Sequence, residues 1–266
     1  MRVNEAQGHL AHVPTVRIVG TDVHLVREDD AVGVIAAAAA APASHPLAVI
    51  SINLDHIHHF PGGQSASDDR TATEYFNLID GAPIASQAQR MTGTRYPRLA
   101  GSDLIDGILD RASADRLSVG VIGGSREVTE PLRARLAVDW PGIRFAGHWT
   151  PSREELADEV AQRALAERIR AAGVDVLLVC LGKPRQELWI DDYAAATGAR
   201  VLLAFGAVVD FLAGRVRRAP SWVAAAGFEW AWRLLREPRR LARRYLLQGP
   251  PAYLAVRQSS KGGSHD

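Results

Sequence analysis

Val174-Asp-Val-Leu-Leu-Val-Cys-Leu-Gly182 runs directly into Lys183-Pro-Arg-Gln-Glu187, so an apolar run ends in two cations, an amide and a carboxylate. The run is bounded by Gly173 and Gly182, which predicts a strand buried on both faces. In open α/β sheets ligands gather just past the carboxyl ends of parallel strands, so this polar cluster marks a ligand site. Two further apolar runs end in the same way. Leu47-Ala-Val-Ile50 leads to Ser51-Ile52-Asn53, and Tyr75-Phe-Asn-Leu-Ile79 delivers Asp80-Gly81. A carboxylate at such a position can enter a cleft and accept a proton, although Asp-Gly is also a common turn pair. Gly123-Gly124-Ser125 lies between a predicted strand at Leu117–Ile122 and a helix from about Val128 to Val138, a geometry that suits phosphate. It is neither Gly-x-Gly-x-x-Gly nor a P-loop with its lysine, so no specific cofactor is indicated.

Metal chemistry finds less support. Asp55, His56, His58 and His59 crowd together, but their spacing matches no standard zinc pattern and no cysteine is near. They read as solvated or helix-capping residues beside a pocket. Adjacent aspartates occur at 29–30, 68–69 and 191–192, yet no Asp-x-Asp pair is present to hold a divalent ion.

The elements that must position these groups follow from periodicity. Val16–Gly20 and Val23–Val26 predict two short strands, paired as a hairpin around Thr21-Asp22. Asp29 and Asp30 are placed to cap an alanine-rich helix over 31–41. Pro83 to Arg90 and Leu104 to Ala112 predict helices, the second capped by Ser102 or Asp103, with Arg95 and Arg98 in the turn before it. Ser152-Arg-Glu-Glu155 is a capping-box pattern opening a helix over 153–172. A helix near Leu188–Thr197 and a strand Val201–Phe205 complete the series. Strands alternating with helices predict a Rossmann-like, doubly wound and mainly parallel α/β sheet.

The 266 residues are 47% hydrophobic and 23% charged, enough for one large α/β unit or two small ones. The single cysteine, Cys180, excludes a disulfide framework and reads as a small buried hydrophobe. No signal-peptide pattern opens the chain and no apolar run nears the roughly 20 residues that span a bilayer, so a cytoplasmic setting is expected. The net charge of +1 hides a split. Residues 215–257 hold ten arginines against Glu229 and Glu237, a net of +8, which leaves −7 on the remainder. Tryptophans 222, 230 and 232 interleave with these arginines. Such a segment suits the headgroup boundary of an anionic membrane; a solvated basic face or a nucleic-acid surface are the competing readings, and no nucleic-acid module is recognisable. The expected division is an α/β core over 15–214, a helical, basic and aromatic appendage over 215–257, and flexible tails at 1–14 and 258–266.

Taken in order, Ser51-Ile-Asn53, Asp80-Gly81, Arg98-Leu-Ala-Gly-Ser-Asp103, Leu181-Gly-Lys-Pro-Arg-Gln-Glu187, Asp210-Phe211, Arg218-Ala-Pro220, Phe228-Glu-Trp230 and Glu237-Pro-Arg239 resemble the WecG/TagA/CpsF glycosyltransferases of bacterial surface-polymer synthesis. The resemblance covers roughly Val16 to Leu254. It implies inverting, metal-independent transfer of a hexose or N-acetylhexosamine-type sugar from a UDP-sugar to a polyprenyl-diphosphate-linked sugar, at the inner face of the cell membrane and without a cofactor. It further implies Asp80 as catalytic base, with Ser51, Asn53, Arg98 and Gln186 as substrate contacts. Arg218 and Arg233 are the leading candidates to neutralise the departing diphosphate, and a homo-oligomer is compatible. A non-catalytic nucleotide- or anion-binding protein, whose basic tail docks on a partner or nucleic acid, is the alternative.

Overall fold

A computed structural model describes residues 8–41, 45–63, 73–215 and 243–259. Eight strands form one sheet: β1 (Thr15–Ile18), β2 (Thr21–His24), β3 (Leu47–Ile52), β4 (Glu74–Ile79), β5 (Ser118–Gly123), β6 (Arg144–Trp149), β7 (Val176–Cys180) and β8 (Val201–Ala204). Their spatial order is β1-β2-β4-β3-β8-β7-β5-β6. Only β1 and β2 pair antiparallel; the other neighbours run parallel. Helices connect the strands: α1 (Glu28–Ala40), α2 (Leu54–His59), α3 (Ala82–Thr92), α4 (Gly101–Ala114), α5 (Thr129–Asp139), α6 (Glu159–Ala171), α7 (Arg185–Thr197) and α8 (Val208–Leu212). A wide helical turn over Arg243–Gln248 leads into the last described helix, α9 (Gly249–Gln258).

Strands β7 and β8 are apolar at every position, and β3 at all but Ser51, because helices cover both faces. Alternate residues of β3 divide between two cores: Leu47 and Val49 join one, Ala48, Ile50 and Ile52 the other. The first core takes α1, α4, α5 and α8 through Ile35, Leu104, Ile108, Leu132 and Leu212. The second takes α2, α3, α6 and α7 through Ile57, Ile84, Leu165, Ile169 and Ile190. Helix α9 closes the second core with Ala252 and Val256, and packs against α2 and α3. The doubly wound, mainly parallel sheet expected from periodicity is therefore the architecture.

Several local expectations shift. The hairpin turn falls at Val19-Gly20, both with positive φ (47° and 80°), while Thr21 already pairs with Ile18. Asp29 and Asp30 do not cap α1. Arg27 holds that position, and the aspartates sit in the first turn, where they complement the helix dipole. Neither Ser102 nor Asp103 caps α4, which starts earlier at Gly101. The Ser152–Glu155 capping box forms, with reciprocal bonds of 2.7 and 3.1 Å, but it closes a separate short turn. Helix α6 begins only at Glu159, where Asp158 accepts from the backbone N–H groups of Val160 and Ala161.

Candidate functional site

The register of β3 and β4 determines the centre of the site. Ile52 lies opposite Ile79 at the ends of the two strands, and Asp80 N–H still donates to Ile52 C=O at 2.9 Å. Asn53 and Asp80 therefore leave the sheet side by side, although 27 residues separate them in the chain. Asn53 caps the short helix α2 by accepting from His56 N–H at 3.1 Å. Because its Oδ1 accepts in that cap, the other end of the amide must donate, and Nδ2 reaches Asp80 Oδ2 at 2.7 Å. The helix cap thus orients the amide, and the amide orients the carboxylate. The second carboxylate oxygen of Asp80 makes no hydrogen bond among the described residues. A carboxylate with one oxygen held and one left to a cleft is suited to accept a proton.

That cleft, of about 1380 Å³, runs along the carboxyl ends of β3, β4, β7 and β8. Ser51, Asn53, Asp80, Arg98 and Gln186 all line it. Arg98 is brought there because Leu99 N–H donates to Ile79 C=O at 2.6 Å, which docks the preceding residue beside the end of β4. Ser51, the penultimate residue of β3, is buried at 6% exposure. Arg218 and Arg233 lie outside the described residues. The described chain nevertheless leaves the cleft at Arg215 and lines it again at Gln248, Gly249, Pro250 and Tyr253.

Gln186 is in the cleft wall, but its amide is engaged by the protein. Oε1 accepts from Gly182 N–H at 3.1 Å; Nε2 donates to Ala204 C=O at 2.8 Å and to Glu187 Oε1 at 3.1 Å. It joins the turn after β7 to the end of β8. Lys183 pairs with Glu187 at 2.5 Å, with side-chain exposures of 8% and 0%. Arg185 is exposed and lines the cleft. The spacing of Lys183 and Glu187, four residues apart across the start of α7, was the available signal for this pair. Asp210, Arg215 and Tyr253 also line the cleft. Asp210 was visible only as part of a motif, and nothing local marks Tyr253.

The Gly123-Gly124 turn has a packing origin. A Cβ on Gly123, whose φ is +96°, would lie 2.4 Å from the Cys180 carbonyl oxygen, so contact between the ends of β5 and β7 demands glycine there. Arg215 donates to Ser125 Oγ at 2.9 Å just beyond it. A smaller cavity of about 360 Å³, lined by Arg126, His148, Trp149 and Arg168 among others, lies past edge strand β6 and contains none of the expected site residues.

The histidine cluster lies beside the cleft, as expected, with Asp55 and His59 lining it and His58 exposed, but it is not solvated throughout. Asp55 is buried, His59 comes within 3.8 Å of it, and no group of potential metal ligands forms among the described residues. His56 is fully buried against Phe60, with neither ring nitrogen hydrogen-bonded. Burial, then the nearby charge of Lys183 and that of His59, push its pKa from 6.5 down to about 2.

Against this geometry, a model of the glycosyl transferase WecG/TagA/CpsF family matches residues 16–265, nearly the whole chain.

The buried histidine gives a pH signature. Below pH 6.5 the unfolded chain binds a proton at His56 that the folded chain refuses, so stability must fall as pH falls from 6.5 towards 2, by up to about 1.4 kcal/mol per unit. Denaturant titrations of His56→Leu between pH 4.5 and 7 should show a slope shallower than the parent's by close to one proton. Identical slopes would contradict the assignment.

Proposed function

The chain belongs to the WecG/TagA/CpsF glycosyltransferase family of cell-surface polysaccharide synthesis, and from that premise we propose an inverting, metal-independent transferase acting at a membrane surface. It moves a hexose or N-acetylhexosamine-type sugar from a UDP-sugar to a polyprenyl-diphosphate-linked sugar. The observation that carries this reading is the Asn53–Asp80 contact at the mouth of a cleft large enough for two sugars and a diphosphate. The acceptor hydroxyl gives its proton to Asp80 as its oxygen attacks the anomeric carbon. The bond from that carbon to the diphosphate oxygen breaks, and UDP leaves with the electron pair from the opposite face.

The other residues divide by role. Asn53 orients Asp80. Ser51 and Arg98 contact the sugars or the diphosphate, and Gln186 shapes the cleft wall from behind. Cations stabilise the departing diphosphate without a metal, since arginine offers paired donors to phosphate oxygens. Arg185 and Arg215 line the cleft. Arg218 and Arg233 belong to a segment whose two described flanks both line it, which supports their assignment to the leaving group.

The membrane partner rests on the C-terminal end. No described helix is long and apolar enough to cross a bilayer. Around α9, however, Leu246 and Leu247 are 62% and 69% exposed, and Leu254 is 59% exposed. Residues 243–258 contain three arginines and no acid. Exposed leucines in a stretch whose only charged residues are cations fit an anionic lipid surface, and the adjoining helix forms part of the cleft wall.

Incubation with a set of labelled UDP-sugars and a short polyprenyl-diphosphate-sugar should yield a lipid product heavier by one sugar. Absence of product from every donor, together with tight, steeply salt-dependent binding to duplex DNA, would favour the non-catalytic alternative. Independently, replacing Leu246, Leu247 and Leu254 together by glutamate should lower co-sedimentation with phosphatidylglycerol vesicles at least about tenfold while α/β circular dichroism is kept. Unchanged sedimentation would remove this surface from the account.

A further inference from the structure

Behind the cleft wall lies a polar group that the transfer step above leaves unused. Glu187 sits in the first turn of α7 and is 0% exposed. Its Oε1 accepts from both Lys183 Nζ and Gln186 Nε2, while Oε2 has no partner. Lys183 itself lines the cleft. A buried ion pair is poor material for stability, because removing both charges from water offsets most of their attraction. An apolar pair of similar volume is often as stable or more so. The arrangement is better explained by what it holds in place.

Two donors converge on that one carboxylate oxygen. The Lys183 ammonium is held against Glu187, where its side chain is only 8% exposed. The Gln186 amide is kept in the plane that lets it bridge Gly182 N–H and Ala204 C=O. Through that bridge the turns following β7 and β8 are drawn together, so closely that a Cβ on Gly206 would lie 2.9 Å from Gln186 Oε1 and 3.4 Å from Gly182 Cα. Both turns line the cleft. Without Glu187 the Gln186 amide loses one of its two acceptors, and Lys183 is free to swing into the cleft, where it would meet any diphosphate as a mobile charge.

We propose that Glu187 is a positioning residue for the transferase: its buried carboxylate holds Lys183 back against the cleft wall and locks Gln186, so that the two turns present a rigid wall to the substrates. This rests on the transferase reading for its consequence, but not for its geometry.

Two variants and two readouts test it. Lys183→Met/Glu187→Leu replaces the pair by apolar groups and should melt within a few degrees of the parent. Its kcat for lipid-linked product should fall about ten- to a hundredfold, with the donor KM changing much less. Glu187→Gln keeps an acceptor for Gln186 but releases Lys183, and should lie between the two. The second readout is the side-chain amide of Gln186, observed by selective ¹⁵N labelling. Its resonances should be exchange-protected in the parent and shifted and less protected in the apolar pair. A parental kcat in the apolar pair, or Gln186 resonances unchanged from the parent, would overturn the proposal. If the parent forms no lipid product with any donor, it is the transferase reading that fails, and the Gln186 resonances alone decide the positioning role.

Discussion

A hydrogen bond of 2.7 Å between Asn53 and Asp80 is the contact on which the site depends, and it exists because two parallel strands end in register. Parallel pairing sets Ile52 opposite Ile79, so the next residue of each strand must emerge on the same edge of the sheet. From there local chemistry takes over. Asparagine is among the best helix caps, and capping α2 leaves its amide nitrogen only one direction in which to donate. The carboxylate it meets therefore needs no further partner to be aimed. Removing the amide would cost the cap, typically about 1 kcal/mol, as well as the aim.

The same logic of strand ends brings in the other wall. β8 lies next to β3 in the sheet and β7 next to β8, so their following turns border the same cleft. Close packing between these turns demands small residues and engaged amides: glycine at 206 against Gln186 and Gly182, and Gln186 bridging Gly182 and Ala204. Helix α9, arriving from the far end of the chain, completes the wall with Pro250 and Tyr253 while its Ala252 and Val256 seal the second core. A cleft wall, a fold-closing helix and an exposed leucine surface thus meet within residues 246–256.

Much of this was legible in the residues themselves. The buried strands announced themselves as unbroken apolar runs, because a sheet covered on both faces leaves no polar alternation to confuse them. Asp80, Asn53, Ser51 and Gln186 stood out because each sits at or just beyond the end of such a run. What escaped was long-range geometry. That Asn53 contacts Asp80 depends on which strands are neighbours, and no local pattern states that. His56 looked solvated because it sits among histidines and an aspartate, yet helix α2 turns its ring inward to Phe60. Lys183 read only as one cation of a polar cluster, with no role assigned, until Glu187, one residue past the recognised amide, proved to be fully buried beside it. The turn at Val19-Gly20 was misplaced because Thr21-Asp22 carries the commoner turn chemistry, while the strand pairing of Thr21 with Ile18 prevailed.

If Asp80 is the proton acceptor that the strand register positions, its charge should matter far more than its shape. Asp80→Asn keeps an oxygen that can accept from Asn53 and removes only the basic oxygen offered to the cleft. The decisive measurement is the single-turnover rate of sugar transfer to the lipid-linked acceptor by this variant, with the fold checked by circular dichroism. Loss of the base predicts a fall of about 10²- to 10⁴-fold with donor binding retained. Transfer at the parental rate would contradict the central role given to the Asn53–Asp80 pair.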